Sequence, residues 1–182
     1  MLVVGDSLSA EYGIARNSGW VALLQARIAQ AGLRHTVVNA SVSGDTTSGG
    51  RSRLPALLSQ HRPGVVIIEL GGNDALRGLP LTMTRDNLQQ MVRDARRAGA
   101  RVVLVGMQVP PNYGKRYADD FERLFGELAR AEKAALVPFL LKGVADGPDA
   151  DHLFQPDRIH PVAAAHPRML DNVWPVLQPL LR

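Results

Sequence analysis

The sequence contains no cysteine. That excludes a disulfide-stapled scaffold, a thiolate nucleophile and every Cys-ligated metal site. It leaves the compartment open, because reducing and oxidising environments both tolerate a cysteine-free chain. Long apolar runs are missing as well. No stretch reaches the about 18 residues that a spanning helix needs, so no stable membrane insertion is expected. Aromatic residues make up only 5% of the chain, and no basic run has aromatics interleaved in it. Nucleic-acid binding is therefore not expected. The first apolar run is not followed by Gly-x-Gly-x-x-Gly or a Walker loop, which counts against a nucleotide- or flavin-binding module. No internal repeat, linker or composition break divides the chain, so residues 1–182 read as one domain.

A chain of 182 residues, 46% hydrophobic and 21% charged, has globular composition and can bury a full core without staples. The formal charge is +4, and Arg far outnumbers Lys. The cations scatter along amphipathic segments, as at Arg93, Arg96, Arg97 and Arg101. They support mild attraction to anionic substrates or membrane surfaces. Met1 runs straight into the first strand, and so few residues before Gly5 lead us to expect that a leader has been trimmed.

Periodicity gives alternating strands and helices. Leu2 to Val4 is a short buried strand, and Thr36 to Ala40 a second one. Val65 to Leu70 reads as a central strand buried on both faces. Arg101 to Met107 and Leu136 to Leu140 complete five. Helical spacing covers Trp20 to Gln30, closed by Gly32, then Leu81 to Ala98 and Tyr117 to Lys133. Leu54 to Gln60 is expected to be helical with Pro55 in its first turn. Lys142 to Asp157 reads as a long irregular stretch, of the length that functional loops have. His160-Pro161 opens a last helical segment that Pro167, Pro175 and Pro179 should break or kink. Strands alternating with helices predict an α/β fold, a parallel sheet with helices on both faces.

In such a sheet all strands present their carboxyl ends at one edge, where open α/β folds bind ligands. Three loops meet there, Gly5-Asp6-Ser7, Ser43-Gly44-Asp45 and Gly71-Gly72-Asn73-Asp74. Each taken alone also describes a helix cap or a turn. Together they place a serine hydroxyl beside oxyanion donors: the N–H groups of Ser7 and Gly44 and the side-chain amide of Asn73. A serine needs a base, and the base needs a carboxylate to orient it. Asp157 and His160 stand three residues apart, a spacing that puts both side chains on one side of a turn. His35 and His61 approach strands from the opposite edge, and His166 has no carboxylate so placed. Asp149, Asp151 and His152 crowd one loop, a weak ligand set, and no metal is expected.

These blocks resemble the SGNH (GDSL-type) hydrolase superfamily. The four signature residues match Ser7 in Gly-Asp-Ser-Leu-Ser, Gly44, Asn73 in Gly-Gly-Asn-Asp and His160 in Asp-Arg-Ile-His-Pro, and they span nearly the whole chain. Asn-Tyr-Gly-Lys-Arg-Tyr at 112 to 117 and Leu-Asp-Asn-Val-Trp-Pro at 170 to 175 look like its bacterial thioesterase I, lysophospholipase and arylesterase branch. The resemblance implies a flavodoxin-like, three-layer α/β/α fold with a five-stranded sheet. It further implies broad ester and thioester hydrolysis without a cofactor, and a periplasmic or secreted location. Glu11 and His166 depart from the family pattern, Glu11 standing where small residues are common and His166 where a glutamine is expected.

The leading reading is a serine esterase or thioesterase acting on small acyl esters. Ser7 is the nucleophile, His160 the base and Asp157 its orienting partner, with Ser7, Gly44 and Asn73 around the oxyanion. Leu76, Leu79, Met107, Pro110, Pro111, Tyr113 and Ile159 flank these loops as candidates for an acyl groove. Two other readings remain. A carbohydrate O-deacetylase would use the same machinery but needs few apolar loop residues. A non-catalytic nucleotide or flavin module would share only the fold type. A monomer is compatible with everything above, and the sequence leaves the oligomeric state open.

Overall fold

The computed structural model describes residues 1–182, with every side chain except that of Pro111. Five strands, β1 (Leu2–Gly5), β2 (Val38–Asn39), β3 (Val65–Glu69), β4 (Arg101–Val105) and β5 (Ala135–Val137), form one sheet. The order is β2-β1-β3-β4-β5 and every pairing is parallel. All four residues of β1 and all five of β3 are buried, as expected of strands covered on both faces. The order steps outward from β1 in one direction to β2 and in the other to β3. The carboxyl ends of β1 and β3 therefore flank the topological switch point where such sheets hold ligands.

Helices α1 (Trp20–Gln30), α2 (Thr47–His61), α4 (Leu81–Arg97), α5 (Lys115–Glu132) and α7 (His166–Leu177) cover the sheet, with the short α3 (Gly72–Leu76) and α6 (Ala150–Leu153) in loops. Helix α1 packs on α7, whereas α2 packs on α4 and α4 on α5. Right-handed crossovers produce this division, because the chain moves one way from β1 to β2 and the other way afterwards. The result is the expected three-layer arrangement. Trp20, Leu24, Ile28, Leu88, Met91, Phe121 and Phe125 are wholly or almost wholly buried between the layers.

Several boundaries differ from the sequence reading: β4 stops at Val105 rather than Met107, and β5 runs over Ala135–Val137 rather than Leu136 to Leu140. Strand β2 keeps only Val38 and Asn39 of the expected Thr36 to Ala40. It lies at the edge of the sheet, with β1 its only neighbour. Helix α2 starts seven residues before Leu54, at Thr47. Two glycines made that stretch look like loop. Gly50 is buried, and a Cβ there would overlap the Leu70 side chain. Glycine thus serves close packing of α2 on the sheet and α4. The helix is started by Thr46, whose hydroxyl accepts the Gly49 N–H at 3.3 Å, and by buried Asp74, which accepts the Thr47 N–H at 2.9 Å. Pro55 consequently lies inside the helix rather than in its first turn. It sits on the exposed face, where the carbonyl left without its N–H partner is open to water. In the last segment Pro175 is held inside α7 near its end, and the break falls after Leu177, where a 3-10 turn runs over Gln178–Leu181.

Candidate active site

Ser7 sits at the tip of the turn that leaves β1. The Asp6 carbonyl accepts the N–H groups of Ser9 at 3.2 Å and Ala10 at 3.0 Å, and the Asp6 carboxylate accepts the Leu8 N–H at 3.0 Å. The turn is closed without the Ser7 side chain, whose hydroxyl meets His160 Nε2 at 2.8 Å. His160 Nδ1 faces Asp157 Oδ2 at 2.7 Å. The expected pairing is therefore present over a sequence separation of 153 residues. Asp157 also accepts the backbone N–H groups of Ile159 at 2.9 Å and His160 at 3.0 Å. These two donors, helped by the imidazole, pull its carboxyl down to about 2. It is an ionised acceptor across the physiological range, and the neutral tautomer it favours leaves Nε2 free toward Ser7. The 157–160 segment is a turn rather than a helix start, with Arg158 in the left-handed region at φ 57°.

The same edge gathers the oxyanion candidates. The N–H groups of Ser7 and Gly44 have no hydrogen-bond partner among the described residues. Asn73, at the start of α3, donates from Nδ2 to Asp6 Oδ2 at 3.1 Å and to the Asp45 carbonyl at 2.9 Å. Both amide hydrogens are thus engaged, tying the β1, β2 and β3 loops together. Donation to a substrate oxygen requires one of those bonds to be shared. Arg53 reinforces the tie through Asp45 at 2.8 Å and the carbonyls of Ala40 and Gly5.

Below the nucleophile turn lies a residue that the sequence reading passed over. Glu69 ends β3 in register with Gly5 and is fully buried. Its Oε2 accepts from the Ser9 hydroxyl at 2.7 Å and the Asp6 N–H at 3.3 Å, while Trp20 Nε1 donates to the same hydroxyl at 3.2 Å. Its Oε1 has no partner among the described residues. Burial and the adjacent Asp6 carboxylate push the Glu69 carboxyl well up, and burial lifts Asp6 to about 6. The two carboxyls cannot both carry charge cheaply at this spacing.

The two departures from the family pattern acquire local roles. Glu11, at φ 60°, accepts the N–H groups of Asn17 at 3.0 Å and Gly19 at 2.8 Å and closes the loop before α1. His166 is buried, and its Nδ1 accepts the Trp20 N–H at 3.0 Å, serving the first turn of α1 that Gly19 cannot cap with a side chain. Burial pushes this imidazole below its ordinary 6.5. As pH falls below that value the unfolded chain takes up a proton that the native chain resists, so His166 costs stability on the acid side. Thermal unfolding of wild type is expected to shift down between pH 7 and 5, and less steeply for His166→Gln, which keeps an acceptor without titrating. Identical slopes for the two proteins would remove His166 as the cause.

Of the groove candidates, Leu76, Tyr113 and Ile159 are exposed at 37%, 39% and 46%. Pro110 is exposed and Leu79 half-buried. Met107 is different: it belongs to the hydrophobic core, because the chain stays covered past the end of β4. The Pro111 side chain lies outside the described residues. Tyr12 and Val42, both 50% exposed, were missed. The exposed large hydrophobic residues all stand in segments between a strand's carboxyl end and the next long helix, Leu76 in the short α3 and Tyr113 in a 3-10 turn.

Comparison with known proteins finds a matching family and several relatives. The profile of the GDSL-like lipase/acylhydrolase family matches residues 3–168. The chain is 54% identical over 181 residues to the esterase TesA of Pseudomonas aeruginosa, covering 100% of this chain and 89% of that protein. It is 41% identical over 181 residues to the thioesterase 1/protease 1/lysophospholipase L1 of Escherichia coli K12, covering 100% and 84%. A crystal structure of TesA superposes with a TM-score of 0.95 at 54% identity over 99% of this chain and 98% of the other.

Proposed function

The chain belongs to the GDSL-like lipase/acylhydrolase family and is a serine hydrolase of esters, and from that premise we propose that Ser7, His160 and Asp157 carry out acyl transfer to water. The observation behind this reading is the unbroken relay from Asp157 through His160 to Ser7, at 2.7 and 2.8 Å. Ser7 Oγ attacks the carbonyl carbon as its proton passes to His160 Nε2. The imidazolium so formed is matched by ionised Asp157. The carbonyl oxygen, now negative, is held by the N–H groups of Ser7 and Gly44 and by Asn73. His160 then protonates the departing alcohol or thiol, and water repeats the sequence on the acyl-enzyme. None of these steps calls for a metal or an organic cofactor.

The substrates we propose are small carboxylic esters and thioesters, namely aryl esters, acyl-CoA and lysophospholipids. The apolar side chains at the site edge and the thioesterase and lysophospholipase named among the relatives support that range. The family resemblance supports a periplasmic or secreted location, which fractionation of the native host tests directly. No helix among the described residues is long and apolar enough to cross a membrane.

An acyl-length series tests the substrate class. Each buried methylene contributes up to about 0.8 kcal/mol, or about fourfold in kcat/KM. Medium-chain p-nitrophenyl esters are therefore expected to exceed the acetyl ester. A steady fall from acetyl upward would overturn this and favour a deacetylase.

A further inference from the structure

The base-bearing segment and the nucleophile turn are joined by two residues that the mechanism above does not use. The Tyr12 ring stacks on the His160 imidazole, with centroids 4.3 Å apart and planes 38° from parallel. The Tyr12 N–H approaches the Ser7 carbonyl at 3.4 Å. One residue thus spans the nucleophile and the base. Gln155 fixes it from the other side. Its Nε2 donates to the Tyr12 carbonyl at 2.9 Å and to the Pro161 carbonyl at 3.1 Å, and its backbone N–H donates to the His160 carbonyl at 2.8 Å. Gly13 permits this approach: it has φ 71°, and a Cβ there would overlap the Gln155 amide. Glu11 at φ 60°, with its two N–H bonds, sets the opposite side of the same loop.

We propose that Tyr12, latched by Gln155, is a positioning residue that orients His160 and stabilises its protonated form by stacking on the imidazolium. The proposal rests on His160 being the base. The ring of an exposed tyrosine would otherwise be free to swing into solvent, and the latch holds its backbone at the height of the imidazole. An aromatic face presents negative charge density to a cation. That attraction is absent while His160 is neutral and appears as the serine proton arrives, so it acts in the transition state.

The experiment compares Tyr12→Phe and Tyr12→Leu in the full chain, reading kcat, KM and the acid limb of kcat/KM against pH with a p-nitrophenyl ester. Exposed cation–π contacts of this kind correspond to about two- to fivefold in rate and about half a pH unit in a titration. Tyr12→Leu is expected to lose that much kcat and to move the acid limb to lower pH, while Tyr12→Phe keeps both. Gln155→Ala, which releases the latch but keeps the tyrosine, should move the limb the same way by less. A folded Tyr12→Leu whose limb does not move overturns the proposal, as does a pure rise in KM that depends on acyl length, which would make Tyr12 a groove wall. His160→Ala separates this from the underlying reading. If that variant retains turnover, the base is misassigned. If it is inactive and the Tyr12 limb stays fixed, only the positioning role fails.

Discussion

Ser7→Ala is expected to lower kcat/KM for simple esters by about 10⁴ to 10⁶ while the protein stays folded. The size follows from covalent catalysis. Without the hydroxyl, water must attack directly, and neither the imidazole nor the oxyanion donors can recover the lost route. The intact fold follows from the hydrogen bonds of the turn. Asp6 accepts the N–H groups of Leu8, Ser9 and Ala10, and Ser9 anchors to Glu69, all without Ser7 Oγ. The only side-chain bond lost is the one to His160. Two measurements check the result. The thermal midpoint should stay near wild type, and a fluorophosphonate should label wild type on Ser7 but leave the variant unmodified. A folded variant that keeps more than a small fraction of activity, or an adduct mapped to another serine, would overturn the assignment.

The parts of this site that could be read from the sequence are those set by strand ends. Gly-Asp-Ser, the loop at Gly44 and Gly-Gly-Asn-Asp each follow an apolar run, and a parallel sheet brings such ends together whatever the loops do. The Asp157–His160 pair was legible because its spacing is local. Other features depend on tertiary contact and left no local trace. Glu69 closes a run of Val-Val-Ile-Ile and was absorbed into an apolar strand, although it is the one ionisable residue there and its carboxyl lies under the nucleophile turn. Its partners, Ser9 and Asp6, are 60 and 63 residues away in sequence. Tyr12 and Gln155 are 143 residues apart, so nothing in either neighbourhood announces their bond. The early start of α2 was hidden for another reason. Gly49 and Gly50 have poor helix propensity, and packing at Gly50 together with the Asp74 acceptor overrides it.

These hidden contacts change what Asn73 has to do. From sequence it is a side-chain donor near the nucleophile. In the structure it is also the knot between Asp6 and Asp45, with both amide hydrogens already bonded. The knot presents the amide at the edge of the site, and the negative oxygen formed in the transition state competes with Asp6 for one hydrogen. The competition favours the oxyanion only while it exists, since a neutral ester carbonyl is the weaker acceptor. Asn73→Ala is therefore expected to lower kcat by about 10² to 10³ and to change KM little, as for other single oxyanion donors. It should also reduce thermal stability, because two loop-to-loop bonds worth about 1 kcal/mol each disappear. Asn73→Asp sharpens the distinction. It retains the size of asparagine but sets an acceptor against the Asp6 carboxylate and the Asp45 carbonyl, so it should be less stable than Asn73→Ala and at least as inactive. A loss of stability with kcat near wild type in both variants would assign Asn73 to the knot alone. The oxyanion would then be held by the two backbone N–H groups of Ser7 and Gly44, the donors that have no other partner among the described residues.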